Sequence, residues 1–172
     1  MTDGPLAQPL AGIRVVELAT GISGPYAAKL LADYGAEVVK VEPPEGDWSR
    51  REGARTGARP EPETSPLFLH LNTNKRSAVA DLKDQEDLAF VISLIASADV
   101  MVHNFRAGVI DRLGLDYETV RGENPKLIYC SISGFGNEGP RSREAAYDGA
   151  VQAASGLMSN NGHAQTGATR TG

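Results

Sequence analysis

Residues 12–42, "GIRVVELATGISGPYAAKLLADYGAEVVKVE", constrain this chain more than any other stretch. A β-branched run, a segment opening on Gly-Pro and closing on Gly35, and a second β-branched run predict strand, helix and strand. The strands are read at 12–18 and 36–42. Pro25 suits the first turn of the helix, and Gly35 is its stop. Tyr26, Leu30, Leu31 and Tyr34 recur at helical spacing, so one face is apolar, the face such a helix ordinarily turns inward. Two strands joined through a helix must lie parallel, with a right-handed crossover. That excludes hairpin-built sheets and commits the chain to an α/β fold.

The alternation continues after an interruption. Residues 43–66 hold five of the ten prolines and no apolar period, and predict a long surface loop pinned by Trp48, the only tryptophan. A short strand is expected at 77–82. Asp84 is placed to cap a helix reaching about Ala98, with Leu88, Val91, Ile92 and Ile95 inward. A strand at 100–102 ends abruptly in His103, Asn104, Phe105 and Arg106. Short helices around 109–113 and 117–123 follow, the second stopped at Asn124-Pro125. "KLIYCSISGFG" is a further strand running into a glycine-rich turn, and 147–158 reads as one helix. The whole predicts a doubly wound, mostly parallel, Rossmann-like sheet with helices on both faces. Its domain spans 11–158, with a loose leader at 1–10 and a polar linker at 159–172.

In such sheets ligands bind beyond the C-terminal strand ends. Four segments fall there: 20–24, 43 onward, 103–106 and 133–139. A net charge of −5, from 17 basic and 22 acidic residues, disfavours nucleic acid as partner. No apolar run approaches membrane-spanning length. The single cysteine, Cys130, excludes an internal disulfide and points to a reducing, cytoplasmic setting. Glu42 sits where a dinucleotide's ribose-binding acid would sit. The glycine fingerprint is nevertheless wrong, because Gly21 is followed by Ile22-Ser23-Gly24-Pro25. His70, His103 and His163 lack metal-ligand spacing, Cys130 reads as a small buried hydrophobe, and no G-x-S-x-G elbow is present.

Taken together, "LAGIRVVELATGISGPYAAKLLADYGAEVVKVEPP", "NTNKRSAVADLK", "ADVMVHNFRAGVIDRLGLDYETVRGENPKLIYCSISGFGNEGP" and "YDGAVQAASGLMS" resemble the class III CoA-transferases. That family includes formyl-CoA:oxalate and carnitine CoA-transferases, and its relatives include α-methylacyl-CoA racemases. The resemblance implies coenzyme A or an acyl-CoA as substrate, a carboxylic acid as second substrate, no permanently bound cofactor, and a homodimer for the full-length protein. Matched position by position, it puts Ile22 and Ser23 near the pantetheine and thioester end. Ala80 falls on the adenine-side strand, with Lys83 available to a phosphate. Asn104 and Phe105 line the nucleotide, and Arg112 meets a phosphate. The chemistry of these residue types agrees, since arginine answers phosphate with a planar, permanently charged fork.

Departures from the family pattern are also visible. Ile22 stands where some relatives carry glutamine, and Pro43 where some carry a CoA-binding arginine. Family transferases use an aspartate that attacks the acyl-CoA to give a mixed anhydride and then an enzyme-bound CoA thioester. That aspartate is expected just beyond Gly172, so no residue of this chain is assigned as nucleophile. The chain is expected to be the N-terminal, CoA-binding portion of a longer enzyme. Asp148 is read as an N-cap near the site. Tyr147 occupies the place of the racemases' histidine; a phenol is a poor base at neutrality, but it can donate a hydrogen bond to thioester or acid. A racemase of the same family and a non-catalytic CoA-binding fragment remain the alternatives.

Overall fold

The computed structural model describes residues 8–52 and 65–171. Five parallel strands form one sheet: β1 (Arg14–Leu18), β2 (Glu37–Glu42), β3 (Arg76–Val79), β4 (Val100–His103) and β5 (Ile128–Ser131), in the order β3-β2-β1-β4-β5. The order reverses between β1 and β4, which opens a crevice at their C-terminal ends. The helices are α1 (Ser23–Asp33), α2 (Pro66–Asn72), α3 (Gln85–Ala96), α4 (Val109–Arg112), α5 (Tyr117–Glu123), α6 (Asp148–Ala154) and α7 (Leu157–Asn161). The chain forms two compact units. The first contains the sheet and runs to Phe105, resuming at Ile110–Ile132; the second comprises Arg106–Val109 and the chain from Ser133.

Strand parity and register sort the side chains of the first unit. Val16, Leu18, Val41 and Met101 lie on one face and pack with Val91 and Ile95 of α3, Ile110 of α4 and Val120 of α5. Val15, Val38 and Val102 lie on the other, against Ala28 and Ala32 of α1. Both faces of the sheet are therefore covered, as the α/β doubly wound reading requires. Each buried valine, leucine or isoleucine contributes roughly 1.5–3 kcal/mol.

Local signals explain most boundaries. Asp84 caps α3 by accepting from the amides of Glu86 and Asp87, and Asp116 caps α5 by accepting from Thr119. Four expectations need correction. The third strand is Arg76–Val79 rather than 77–82, because Ala80 already turns away after its amide bonds to Glu42 O. Helix α2 went unread inside an apolar stretch; Ser65 is its N-cap, and Pro66 stands at its first position. The expected helix at 147–158 is two helices, α6 and α7, parted by Gly156 in the left-handed region (φ 81°).

The fourth correction concerns which helix residues turn inward: Ile92 of α3 is exposed, and α1 differs more. Tyr26, Leu30 and Tyr34 are exposed, Leu31 is partly buried against the core on this side of the sheet, and Gly24, Pro25, Ala28 and Ala32 are the buried residues. Small residues let the helix axis approach the sheet closely, and that proximity outweighs the greater apolar area of the opposite stripe. Much of the predicted loop, 53–64, and most of the predicted leader lie outside the described residues. The near end of the loop is ordered structure. Trp48–Arg51 form a single 3₁₀ turn, and Asp47 accepts from the Ser49 amide at its start.

Candidate functional site

The turn after β1 is held by side chains from three other parts of the first unit. Lys40 Nζ of β2 donates to Ala19 O at 2.7 Å. Asn104, just past β4, accepts from the Thr20 amide at 3.1 Å and donates to Thr20 O at 2.7 Å. Asp47, in the loop after β2, accepts from the Gly21 amide at 3.1 and 3.2 Å to its two oxygens. Gly21 itself has φ 79°, and a Cβ there would fall 2.7 Å from the Trp48 ring. Only glycine fits both the backbone conformation and the indole laid over it.

Beneath this turn lies a network of buried charge that the sequence reading passed over. Register places Glu17 of β1 beside Lys40 of β2, and Lys40 beside Ser77 of β3, on the α1 side of the sheet. Lys40 Nζ reaches Glu17 at 2.8 Å and Asp47 at 2.9 Å, and Lys75 Nζ reaches the other Glu17 oxygen at 2.7 Å. Lys75 also donates to Pro25 O and to Asn72 Oδ1. Two ammonium groups thus meet two carboxylates, all withdrawn from solvent. An unpaired charge at such depth would be prohibitively costly. Burial pushes the Lys75 pKa down, partly countered by Glu17. Burial alone would raise that of Asp47, but Lys40 and Ser49 hold it below the usual carboxylate range.

Glu42, at the end of β2, stands where a dinucleotide's ribose-binding acid would stand. Its carboxylate accepts two bonds from Arg50 at 2.7 and 2.8 Å, one from Ser77 at 2.6 Å and one from the Asp47 amide at 3.0 Å. Burial alone would raise its pKa, yet these donors outweigh burial and bring it to about 2. The acid that a nucleotide ribose would need is committed within the fold. Arg50 in turn stacks over Phe68 at 3.7 Å, and the Ser65 hydroxyl lies 2.6 and 2.7 Å from the Ser49 and Glu52 carbonyls. The loop after β2 is thereby tied to α2.

At the end of β4, His103 is 1% exposed. Its Nδ1 accepts from the Phe105 amide at 3.3 Å, and no partner meets Nε2 among the described residues. The imidazole lies 6.0 Å from the Phe105 ring and 5.1 Å, edge-on, from Tyr129. Burial pulls its pKa down to about 4, with Asp111 opposing. The ring is therefore neutral near pH 7, and with Nδ1 accepting, its proton sits on Nε2.

The predicted site residues of the first unit all follow the C-terminal strand ends. Ile22, 56% exposed, and the exposed Ser23 open α1 after β1. Asn104 stands beside that turn, and its amide keeps one donor and one lone pair beyond its two bonds to Thr20. Phe105 is half-buried, packed against the core cluster of α3, α4 and α5. Arg112, the exposed last residue of α4, has no carboxylate partner among the described residues. Ala80 is buried, so it can offer a ligand backbone but little side chain. Lys83 is exposed in the turn before α3.

Ala80 and Asn104 are separated by three strand intervals, about 14 Å at the usual spacing. The set is strung along a sheet edge rather than gathered at a point, an arrangement that suits a long ligand with chemically distinct ends.

In the second unit, Tyr147 precedes α6 and is 77% exposed. Asp148 is the first residue of α6 rather than its cap, and it accepts from Gln152 at 2.8 Å and faces Arg170 at 3.4 Å. Cys130 is partly buried against the α1-side core. Among the described residues no group of histidine, cysteine and carboxylate side chains is arranged to hold a metal, and no helix is long and apolar enough to cross a membrane. A cavity of about 260 Å³ opens at the opposite end of the sheet, lined by Arg14, Glu37, Asn74 and Arg76 among others. It contains none of the predicted site residues.

A family model described as CoA-transferase family III matches residues 10–172. The chain is 49% identical over 166 residues to a succinate–glutarate CoA-transferase of Agrobacterium fabrum, covering 94% of this chain and 42% of that protein. It is 42% identical over 165 residues to an acetyl-CoA:oxalate CoA-transferase of Acetobacter aceti, covering 95% and 41% respectively. The crystal structure of a CAIB/BAIF family protein from Brucella suis superposes with a TM-score of 0.87 at 41% identity, covering 96% of this chain and 44% of that one. The chain thus spans about two-fifths of the length of the curated relatives it matches.

Proposed function

Because the chain belongs to CoA-transferase family III, we propose that it is the CoA-binding part of an enzyme that moves CoA between carboxylic acids. The observation that carries this reading is the crevice between β1 and β4. There the Ile22–Ser23 turn and Asn104–Phe105 are brought side by side, and Arg112 follows on α4. The nucleotide end of CoA lies along Asn104, Phe105 and Arg112, with Ala80 and Lys83 toward the β3 side. The pantetheine arm runs to Ile22 and Ser23.

The chemistry is carboxylate exchange. An enzyme carboxylate attacks the thioester carbonyl, a mixed anhydride forms and the CoA thiolate leaves. The thiolate then attacks the enzyme's own carbonyl of that anhydride, which releases the first acid and leaves CoA as an enzyme thioester. The second acid repeats both steps in reverse. No residue of this chain is assigned as the nucleophile. This portion contributes grip and alignment: phosphate charge met by guanidinium, and the thioester held at the β1 turn. Tyr147, on the second unit, is proposed only as a hydrogen-bond donor, a role that does not require it to remove an α-proton.

Calorimetric titration of CoA into the folded chain tests the reading. Saturable binding is expected, weakened by about 1–3 kcal/mol in Arg112→Ala, the worth of a charged hydrogen-bond contact. A folded chain that takes up no CoA overturns the proposal, and equal affinity of the two proteins removes Arg112 from the site.

A further inference from the structure

We infer that Asp47 is a positioning residue for the thioester end of the site: by holding the Gly21 amide, it sets the Ile22–Ser23 turn in the geometry that receives the ligand. The inference rests on the CoA-binding reading above and deepens it. Of the main-chain groups in Ala19–Gly21, the Ala19 carbonyl, both polar groups of Thr20 and the Gly21 amide are bonded to side chains. The donors and acceptors are Lys40, Asn104 and Asp47, from β2, the end of β4 and the loop after β2.

The main-chain groups of a turn can be paired by neighbouring backbone, by side chains or by water. Here the turn is clamped from outside, at the cost of burying Asp47, Lys40 and Glu17. Such burial is rarely stabilising in itself, since apolar replacements of buried ion pairs are often neutral or better. A rigid anchor beneath the reacting end is what the arrangement supplies, because misplacement of a reactive group by 1 Å can cost about a hundredfold in rate.

Asp47 is the member on which the turn's orientation depends most directly. Its carboxylate also accepts from the Ser49 amide at 2.9 Å and the Ser49 hydroxyl at 2.8 Å, and it pairs with Lys40 at 2.9 Å. Every surrounding group is a donor, so only an acceptor-only side chain satisfies all of them. In Asp47→Asn an NH₂ group must face at least one N–H or ammonium, and the Gly21 amide loses its two-oxygen acceptor.

The test uses the whole chain. In Asp47→Asn, CoA affinity is expected to fall about ten- to a hundredfold. A second variant, Val91→Ala, truncates a buried α3 side chain far from the turn. It is expected to lower the melting temperature while leaving CoA affinity within about twofold, which separates positioning from general loss of stability.

The nuclear magnetic resonance signal of the Gly21 amide in the unaltered chain adds a reading that survives even if Asp47→Asn does not fold. It should lie downfield, exchange slowly with solvent and shift as Asp47 is protonated in acid. A folded wild-type chain without CoA affinity would overturn the CoA-binding reading. A chain that binds CoA, yet whose Asp47→Asn variant binds equally well or whose Gly21 amide exchanges as an unprotected one, would overturn the role of Asp47.

Discussion

His103 shows how a single residue carries consequences that its place in the sequence hides. In the sequence it is the first polar residue after an apolar run, a histidine without metal-ligand spacing. In the structure it is the last residue of β4, buried, with Nδ1 committed to the Phe105 amide. Since burial depresses its pKa from 6.5 to about 4, the folded chain binds a proton there less readily than the unfolded chain. The stability this contributes is fully present above pH 6.5 and is lost as the pH falls toward 4. Glu42, lowered from 4.5 to about 2, contributes stability present above pH 4.5 and lost as the pH falls toward 2. Acid therefore weakens the fold in two successive windows. Urea denaturation at stepped pH should show wild type losing on the order of 3 kcal/mol through the first window from His103. His103→Gln, which cannot titrate, should be flatter by that amount between pH 6.5 and 4 and parallel to wild type below that window. A variant curve with the wild-type slope across the upper window would remove His103 as its cause.

At the scale of elements, strand and helix order was legible because punctuation and period agree: glycine and proline at the ends, β-branched runs between. Which face of an element turns inward was less legible, and α1 shows why. Hydrophobic spacing favoured Tyr26, Leu30 and Tyr34, whereas the buried stripe is Gly24, Pro25, Ala28 and Ala32. Close helix–sheet approach is a tertiary property, and small residues that permit it carry little hydrophobic signal. The candidate site divides in the same way. Strand-end residues such as Asn104 and Arg112 follow from topology plus family resemblance. The Glu17–Lys40–Asp47–Lys75 network depends on register between strands and on a loop fold. Its only trace in the sequence is a charge inside each of two apolar strands, "VVEL" and "VVKVE". The packing of α1 makes a prediction opposite to the one hydrophobicity would make. Ala28→Leu should destabilise by about 1–3 kcal/mol through overpacking. Tyr34→Gln should change stability by no more than about 0.5 kcal/mol. Thermal denaturation of both variants checks this, and a larger loss in Tyr34→Gln would restore the original face.

Across the first unit, the α1 residues that small-residue packing turned outward form one of several exposed apolar features. Tyr26, Leu30 and Tyr34 recur along that helix, Phe90 and Ile92 are exposed on α3, and Val79 and Ile128 stand exposed on β3 and β5, the two edge strands. Isolated exposed hydrophobes are ordinary, but a continuous stripe along a helix marks a surface that ordinarily meets another. Val79 and Ile128 add apolar side chains on the edge strands, where further strand pairing ordinarily occurs, to the same tendency. The net charge of −5 supplies only modest repulsion against association. The chain by itself should therefore self-associate as concentration rises. Static light scattering over a hundredfold dilution series is expected to show an apparent mass falling toward the 18.2 kDa monomer only at the dilute end. Replacing Leu30 and Tyr34 by glutamine should move that fall to higher concentration without lowering the melting temperature appreciably, because neither side chain is buried in the fold. A wild-type chain that remains monomeric across the whole series would show that the α1 stripe and sheet edges are tolerated in water, and that the first unit is self-sufficient as it stands.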